Sequence, residues 1–141
     1  MLVKEILDTK GHEFWSVSPD TSVHDAIRLM VDKAVGSVLV VENGNVRGIV
    51  TERDFAHKVA LENKSSPSMP VAEIMTTHVL CTRPEQTIEE AMALMTDKRV
   101  RHLPVLSDGN IVGVVSIGDL VKAVISEQQF LINQLENYIT S

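Results

Sequence analysis

The pattern of apolar and polar positions predicts that short strands alternate with amphipathic helices. Residues 13–17 are predicted to form a first strand, and Pro19 ends this run. A helix then starts at Thr21 or Ser22 with capping-box spacing and continues to about Lys33. Its predicted buried face consists of Val23, Ala26, Ile27 and Met30.

A tight hairpin is predicted after this helix. Residues 36–41 are a short, β-branched run typical of a buried strand, and residues 43–45, Asn-Gly-Asn, tolerate the positive φ of a tight turn. Residues 46–51 should therefore return antiparallel, and a second helix should run from Glu52 to about Glu62. The predicted unit is strand, helix, strand, strand, helix.

A polar segment with two prolines, residues 63–70, is predicted to be a linker. Residues 71–75 follow as a short turn, and residues 79–81 are predicted to be the first strand of a second unit. At the start of the chain, residues 2–7 are predicted to form a short helical turn that Gly11 closes.

The second half repeats the same order of elements. Thr87 and Glu90 open a helix with capping-box spacing. Strands at residues 102–106 and 111–116 are predicted to form a hairpin across residues 108–110. The buried face of the helix is predicted to hold Ala91, Leu94 and Met95.

The last helix is predicted to run from about Asp119 to Ile139, because no proline or glycine interrupts it. It carries more apolar surface than one small domain can cover, which indicates a partner helix. These apolar positions are Val121, Val124, Ile125, Leu131, Ile132, Leu135 and Tyr138.

The chain contains an internal duplication. Residues 48–54 read Gly-Ile-Val-Thr-Glu-Arg-Asp and residues 113–119 read Gly-Val-Val-Ser-Ile-Gly-Asp, an offset of 113 − 48 = 65 residues. Two repeats bury their apolar faces best in one pseudo-symmetric domain. The predicted fold class is therefore α/β (α+β), with two β-α-β-β-α units packed into one module and an extended C-terminal helix.

The duplication also suggests domain boundaries. The first unit with its N-terminal segment is predicted at residues 1–62, followed by a linker at residues 63–74. The second unit is predicted at residues 75–126, and residues 127–141 extend the last helix.

Composition narrows the possible functions. The 141 residues are 44% hydrophobic and 23% charged, which suits one domain with a core. The net charge of −6 disfavours nucleic acid and an anionic membrane as partners, because both need clustered lysine and arginine. Cys81 is the single cysteine, and with no signal-like or membrane-spanning segment this predicts a cytoplasmic protein.

The chain resembles the tandem cystathionine β-synthase (CBS) domain pair. The resemblance rests on the duplicated Gly-apolar-apolar-Thr/Ser-x-x-Asp ending and on residues 101–105, Arg-His-Leu-Pro-Val. It covers roughly residues 2–126 and is similar to the small stand-alone bacterial and organellar members. It implies a regulatory module that binds an adenosine-containing ligand between its two halves: AMP, ADP, ATP, S-adenosylmethionine or NAD(H). No other cofactor is required.

The resemblance also implies roles for particular residues. The ribose would be held by the hydroxyl and carboxylate of each ending, since a carboxylate offers two acceptor oxygens to two ribose hydroxyls. The ribose residues are Thr51, Asp54, Ser116 and Asp119; the phosphate residues are Arg53, Arg101 and His102. The cleft-wall residues, which face the ligand or offer backbone groups to the base, are Ser16, Val17, Gly36, Ser37, Cys81 and Thr82.

The two clefts are predicted to be unequal. If each cleft takes its phosphate contacts from the opposite half, the cleft of Asp54 collects Arg53, Arg101 and His102, whereas the cleft of Asp119 faces Gly36 and Ser37. A phosphorylated nucleotide should then favour Asp54.

A purely structural interpretation stays open, because Thr-x-x-Asp and Ser-x-x-Asp are also ordinary helix caps. Three function classes follow. The first is a nucleotide-sensing module, and the second is a dimerisation scaffold with vacant clefts. An enzyme is the third and weakest, because the sequence offers no nucleophile with a base, no phosphate-cradling loop and no metal-ligand spacing.

The family resemblance further implies a homodimer formed through the helices of each unit. The apolar C-terminal helices of this chain are expected to add a second contact. The regulated partner protein is not identified by the sequence. The helix residues expected in the dimer contact are Ala26, Met30, Phe55, Ala91, Met95 and Leu120.

Overall fold

The computed structural model describes residues 1–61 and 68–140 of the chain. The elements in chain order are α1 (Val3–Lys10), β1 (Ser16–Val17), α2 (Val23–Lys33), β2 (Ser37–Glu42), β3 (Asn45–Thr51), α3 (Glu52–Asp54), α4 (Ile88–Lys98), β4 (His102–Ser107), β5 (Asn110–Ser116) and α5 (Ile117–Thr140). After α3 the helix continues as a π-helix over Phe55–Leu61, and a short 3₁₀ helix spans Val71–Glu73. The predicted mixed α/β fold with a long C-terminal helix is confirmed.

The elements form two compact units. The first unit is residues 14–79, and the second unit combines residues 1–13 with residues 80–141. This division differs from the boundaries expected from the repeat, because α1 packs in the second unit and the segment after residue 68 packs in the first. Of the predicted linker at residues 63–74, residues 63–67 lie outside the described residues.

Each unit contains the predicted hairpin. Strands β2 and β3 pair antiparallel from Ser37–Thr51 to Glu42–Asn45, and β4 and β5 pair from His102–Ser116 to Ser107–Asn110. Asn43 and Gly44 have φ values of 52° and 78°, which match the turn type that joins twisted strands in two residues. Asp108 and Gly109 repeat this conformation.

The first strand of each unit is shorter than expected. In the first unit only Ser16 and Val17 pair with β2, in parallel. The strand expected at residues 79–81 is not formed, and a single bridge joins Thr82 to Val105. Pro104 explains this difference, because it has no N–H for the next hydrogen bond of the ladder. Its counterpart Leu39 donates its N–H to the carbonyl of Trp15 at 3.0 Å.

The predicted helix faces form the cores. The core of the first unit gathers Val23, Ala26, Met30, Val38, Val40, Val50, Val71 and Ile74. The core of the second unit gathers Val3, Ile6, Leu7, Ile88, Ala91, Met95, Leu103, Val105, Val115 and Leu120. The dimer contact expected for Ala26, Met30, Ala91, Met95 and Leu120 is therefore wrong for these side chains, because each is buried within the chain itself. Phe55 stays partly exposed.

A second repeat explains why α1 belongs to the second unit. Residues 3–10 read Val-Lys-Glu-Ile-Leu-Asp-Thr-Lys, and residues 71–78 read Val-Ala-Glu-Ile-Met-Thr-Thr-His, an offset of 71 − 3 = 68 residues. A Cβ atom on Gly113 would lie 2.7 Å from a methyl carbon of Leu7, and a Cβ atom on Gly48 would lie 2.7 Å from the sulfur of Met75. Each copy thus packs against the glycine of a second hairpin strand.

Helix α5 starts at Ile117, two residues before the predicted start, and has 24 residues. Leu120 is fully buried, and Ala123 and Val124 pack against the core of the second unit. From residue 128 to residue 139 the side chains of α5 are exposed.

Candidate functional site

The two hydroxyl–carboxylate endings occupy equivalent places in their units. In the first unit Thr51 is the last residue of β3 and pairs with Ser37, while Gly36 accepts a hydrogen bond from the N–H of Glu52 at 3.1 Å. In the second unit Ser116 pairs with His102, and the carbonyl of Arg101 accepts from the N–H of Ile117 at 2.9 Å. Each ending is therefore the point at which a strand turns directly into a helix.

Asp54 is held by donors on three sides. Its Oδ2 atom accepts from the N–H of Thr51 at 3.1 Å and from the Thr51 hydroxyl at 3.2 Å. Its Oδ1 atom accepts from the Thr76 hydroxyl at 3.0 Å and lies 3.7 Å from the ammonium of Lys58. The side chain is only 13% exposed, so both oxygens already have partners within the first unit.

Asp119 has a different second partner. Its Oδ2 atom accepts from the N–H of Ser116 at 2.8 Å and from the ammonium of Lys10 at 2.6 Å. Lys10 also donates to the carbonyl of Val114 at 2.7 Å, which fixes its position beside β5. Within the described residues no hydrogen bond reaches Oδ1, and the side chain is 25% exposed.

The electrostatics of Asp119 follow from these contacts. Partial burial alone would raise the pKa of Asp119, but the hydrogen bonds from Lys10 and Ser116 and the charge of Lys10 outweigh it. The pKa of Asp119 is therefore lowered, and the carboxylate is ionised at neutral pH.

Both hydroxyl–carboxylate endings also cap helices, as the structural interpretation predicts. The amide of Asp54 donates to the Thr51 hydroxyl at 3.2 Å, and the amide of Asp119 donates to the Ser116 hydroxyl at 3.1 Å. Thr87 and Glu90 form the same capping box on the exposed start of α4. The box alone therefore does not distinguish a ligand site from a helix cap.

The predicted phosphate residues divide between the units. Arg53 lies in the first unit next to Asp54 in sequence, and its side chain is exposed. Arg101 is exposed and His102 is half-buried, and both lie in the second unit beside Ser116. The structure thus places Arg101 and His102 in the unit that contains Asp119. Their predicted joint action with Asp54 stays a prediction.

The predicted cleft-wall residues lie in both units. Ser16 and Val17 lie in β1, and Gly36 and Ser37 lie at the start of β2. Cys81 is half-buried, and this burial raises the pKa of its thiol.

Thr82 was expected to offer backbone groups to a base, and the structure contradicts this. Its N–H donates to Pro104 and its carbonyl accepts from Leu106, both at 2.9 Å. Its buried hydroxyl donates to the side-chain oxygen of Gln86 at 2.7 Å. The N–H, the carbonyl and the hydroxyl of Thr82 are therefore already hydrogen-bonded within the second unit.

Sequence reasoning missed Lys10, Lys58 and Thr76. Two signals point to them. Lys58 follows Asp54 by four residues, the spacing that brings side chains together on a helix. Lys10 and Thr76 lie in the two copies of the eight-residue repeat, residues 3–10 and 71–78. Each copy packs against a hairpin strand.

An apolar pocket of about 400 Å³ lies on the helical side of the first unit. Its lining residues are Ile27, Met30, Val31, Ala34, Val35, Gly36, Glu52 and Phe55. Val31 in this set is 72% exposed, so the helical side keeps apolar surface although Ala26 and Met30 are buried.

Over residues 1–61 and 68–140, no three histidine, cysteine or acidic side chains are grouped closely enough to hold a metal ion. In the same part of the chain, every helix is too short or too polar to cross a bilayer.

Comparison with known families gives two matched regions. The family model described as the CBS domain matches residues 3–61 and residues 71–126. Each match includes one copy of the eight-residue repeat and one hydroxyl–carboxylate ending.

Comparison with individual proteins agrees. The chain is 37% identical to the CBS domain-containing protein CBSX3, mitochondrial, of Arabidopsis thaliana, over 97% of this chain and 71% of that protein. It is 47% identical to a solved CBS-domain protein from Burkholderia ambifaria MC40-6, with a TM-score of 0.86, covering 91% of this chain and 96% of that chain.

A more distant structure shares the fold alone. The CBS domain pair of protein MJ0100 was solved in complex with 5′-methylthioadenosine and S-adenosyl-L-methionine. It is 22% identical, with a TM-score of 0.79, and the match covers 90% of this chain and 98% of that chain.

Proposed function

Because the chain belongs to the CBS domain family, we propose that it is a non-catalytic regulatory module that binds an adenosine-containing ligand at its hydroxyl–carboxylate endings. One observation carries the proposal. The same partly buried pair of a hydroxyl and a carboxylate stands twice at a strand end that opens a helix. A ribose diol needs acceptors of this kind, and hydrogen bonds to a charged acceptor are about twice as strong as neutral ones.

Asp119 is the better placed of the two carboxylates to accept a ribose. Its Oδ1 atom has acceptor capacity that the described residues leave unused, whereas both oxygens of Asp54 are engaged. A carboxylate offers about four lone-pair sites, so Asp119 can cap α5 and hold one or two ribose hydroxyls at once. The sequence-based prediction favoured Asp54, and the hydrogen bonds favour the opposite order.

The charges of the second unit favour a ligand with phosphate. Lys10, Arg101 and His102 lie in the unit of Asp119, and a guanidinium fork fits phosphate oxygens. AMP, ADP and ATP are therefore the preferred ligands, with S-adenosylmethionine and NAD(H) as alternatives. The ligands of MJ0100 support the adenosyl group that all of these share.

A thermal-shift experiment tests the proposal. AMP, ATP, S-adenosylmethionine and NADH are added in turn, because a ligand that binds only the folded state raises the melting temperature. We expect a shift with at least one of them. The matched control is 2′-deoxy-AMP, which lacks one ribose hydroxyl and should shift the melting temperature less than AMP. Equal shifts with AMP and 2′-deoxy-AMP would contradict the role given to the carboxylates.

A dimerisation scaffold is the second candidate function. It is favoured by the full engagement of Asp54 in the first unit and by the exposed apolar side chains of α5. A scaffold would show no thermal shift with any ligand of the panel while keeping a dimeric mass in light scattering. The cytoplasmic location stays a prediction from the sequence, and the relative from Arabidopsis thaliana is described as mitochondrial.

A further inference from the structure

The exposed part of α5 carries a heptad pattern. Val121, Val124, Gln128, Leu131, Leu135 and Tyr138 follow one another at spacings of 3, 4, 3, 4 and 3 residues. This is the spacing of the a and d positions in a coiled coil, with a mean period of 3.5 residues. Ile125, Ile132 and Ile139 occupy the adjacent e positions and widen the apolar stripe.

The stripe differs from the face by which α5 packs in its own unit. Leu120 and Ala123 face the core of the second unit and lie outside the stripe, whereas Val124, near the start of the stripe, packs partly against this core. From Ile125 onward the apolar side chains of the stripe are exposed, from 48% for Ile132 to 83% for Tyr138. Folding of the second unit therefore leaves the stripe uncovered from Ile125 to Ile139.

The opposite side of α5 is polar except for Phe130, which is 60% exposed. Gln129 donates a hydrogen bond from its side-chain nitrogen to the side-chain oxygen of Asn133 at 3.1 Å, and both side chains are exposed. An apolar stripe with a hydrogen-bonded polar back is the arrangement of a helix that pairs along one side.

The exposed area is large enough for a stable contact. Leu131, Ile132, Leu135 and Ile139 are about half to four-fifths exposed, as are Ile125 and Tyr138. Side chains of this size present on the order of 600 Å² together, close to the roughly 800 Å² that each partner buries in a standard interface.

The charges select the partner. Residues 123–141 contain no lysine or arginine and two acidic residues, Glu127 and Glu136. A helix that lies on an anionic membrane needs basic residues on its polar face, so this helix is poorly suited to a membrane surface. The stripe is self-complementary, because every a and d position except Gln128 is apolar. This favours a second copy of the same helix.

We infer that α5 forms a parallel, in-register coiled coil with α5 of a second copy of this chain. The position of Gln128 sets the orientation. In a parallel pair it lies at an a position against its own copy, and the two amides can hydrogen-bond to each other. In an antiparallel pair it would lie against an apolar d residue instead of its own copy. A single polar a residue is known to fix register and strand number in this way.

Disulfide crosslinking tests the inference without any nucleotide. In a Cys81→Ser background, Leu135→Cys places a thiol in the stripe and Asn133→Cys places one on the polar side. Under mild oxidation at low micromolar concentration, Leu135→Cys should form a covalent dimer and Asn133→Cys should not. Equal crosslinking of the two variants would mean random collision and would overturn the pairing.

A second pair of variants shows whether the stripe causes the contact. Leu131→Glu added to the Leu135→Cys chain should slow crosslinking about tenfold or more, since one buried contact replaced by a charge weakens binding by at least that factor. Gln129→Glu adds the same charge on the polar side and should leave crosslinking unchanged. Unchanged helix content by circular dichroism for both variants excludes unfolding as the cause.

Co-sedimentation with vesicles tests the alternative that α5 binds a membrane surface. The wild-type chain is mixed with vesicles of phosphatidylcholine and phosphatidylglycerol, and light scattering gives its mass in their absence. We expect a dimeric mass and no sedimentation with the vesicles. A monomeric mass, with or without binding to the vesicles, would overturn the inference.

Discussion

The first and second units share a hydroxyl–carboxylate ending but complete it with different partners. In the first unit the Oδ2 atom of Asp54 accepts from Thr51 and its Oδ1 atom accepts from Thr76, so both of its oxygens are occupied. In the second unit Asp119 uses one oxygen for Ser116 and Lys10. The comparison shows that both copies keep the helix cap. How many carboxylate oxygens remain able to accept a ligand hydrogen bond depends on residues outside the repeated ending.

The two lysines reach their carboxylates by different routes. Lys58 lies four residues after Asp54 on the same helix, and its ammonium also donates to the carbonyl of Ile74 at 2.8 Å. Lys10 comes from α1, far away in sequence, and its ammonium lies 2.6 Å from Asp119. Anything that displaces α1 therefore removes the cation of Asp119, whereas Lys58 stays with Asp54.

The largest expected difference between the units concerns their contact glycines. At Gly48 an added Cβ atom would lie 2.7 Å from the sulfur of Met75 and 2.9 Å from the backbone oxygen of Thr76. At Gly113 it would meet only the side chain of Leu7, at 2.7 Å. We predict that Gly48→Ala lowers the free energy of unfolding by about 3 kcal/mol and Gly113→Ala by about 1 kcal/mol, because backbone yields less than a side chain.

Urea unfolding of the two variants measures this difference. The chain offers its own control, because both substitutions add one methyl group at equivalent strand positions. Equal losses, or a larger loss for Gly113→Ala, would show that the segment after residue 68 packs no more tightly than α1.

The second prediction concerns acid. The pKa of Asp119 is lowered in the folded chain, so the unfolded chain binds a proton more readily. The contribution of Asp119 is therefore fully present above the usual aspartate pKa of 3.8 and is lost as the pH falls through its lower folded pKa. Wild type should lose more stability between pH 6 and pH 3 than Asp119→Asn does.

Lys10→Met sharpens this experiment, because it removes the cation but keeps the carboxylate. Its stability should depend on acid less than that of wild type and more than that of Asp119→Asn. The measurement is urea unfolding at several pH values. The assignment fails if all three proteins lose the same stability over this range.

The smallest expected effect separates the two lysines at pH 7. Lys10→Met should lower the free energy of unfolding by no more than about 1 kcal/mol, because Lys10 is 36% exposed and solvent screens its ion pair. Lys58→Met should cost about 0.5 kcal/mol, since its ammonium is 3.7 Å from Asp54. A larger loss for Lys58→Met in thermal or urea unfolding would reverse the comparison.

Most of the fold could be predicted from local patterns in the sequence. The helix faces around Ala26 and Ala91 and the turns at Gly44 and Gly109 follow from short-range spacing, and the structure confirms them. The strand expected at residues 79–81 could not be judged in this way. Its failure depends on Pro104, a residue more than twenty positions away that lacks the required N–H.

The site was less predictable than the fold. The caps at Asp54 and Asp119 were visible in the sequence, because both partners of each cap lie within four residues. The contacts of Lys10 and Thr76 depend on how α1 and residues 71–76 pack against the hairpins. Residues 1–13 pack in the second unit, and residues 71–76 pack in the first unit. The 65-residue offset of the sequence repeat alone does not reveal this arrangement.

Titration calorimetry with AMP tests the central claim most directly, using wild type, Asp119→Asn and Asp54→Asn. Asparagine keeps one acceptor oxygen for the cap but loses the charge, so folding is preserved while the ribose contact is weakened. We predict that wild type binds AMP, that Asp119→Asn lowers its affinity about tenfold or more, and that Asp54→Asn has a smaller effect. Binding by Asp119→Asn with the affinity of wild type would contradict the claim that this carboxylate holds the ribose.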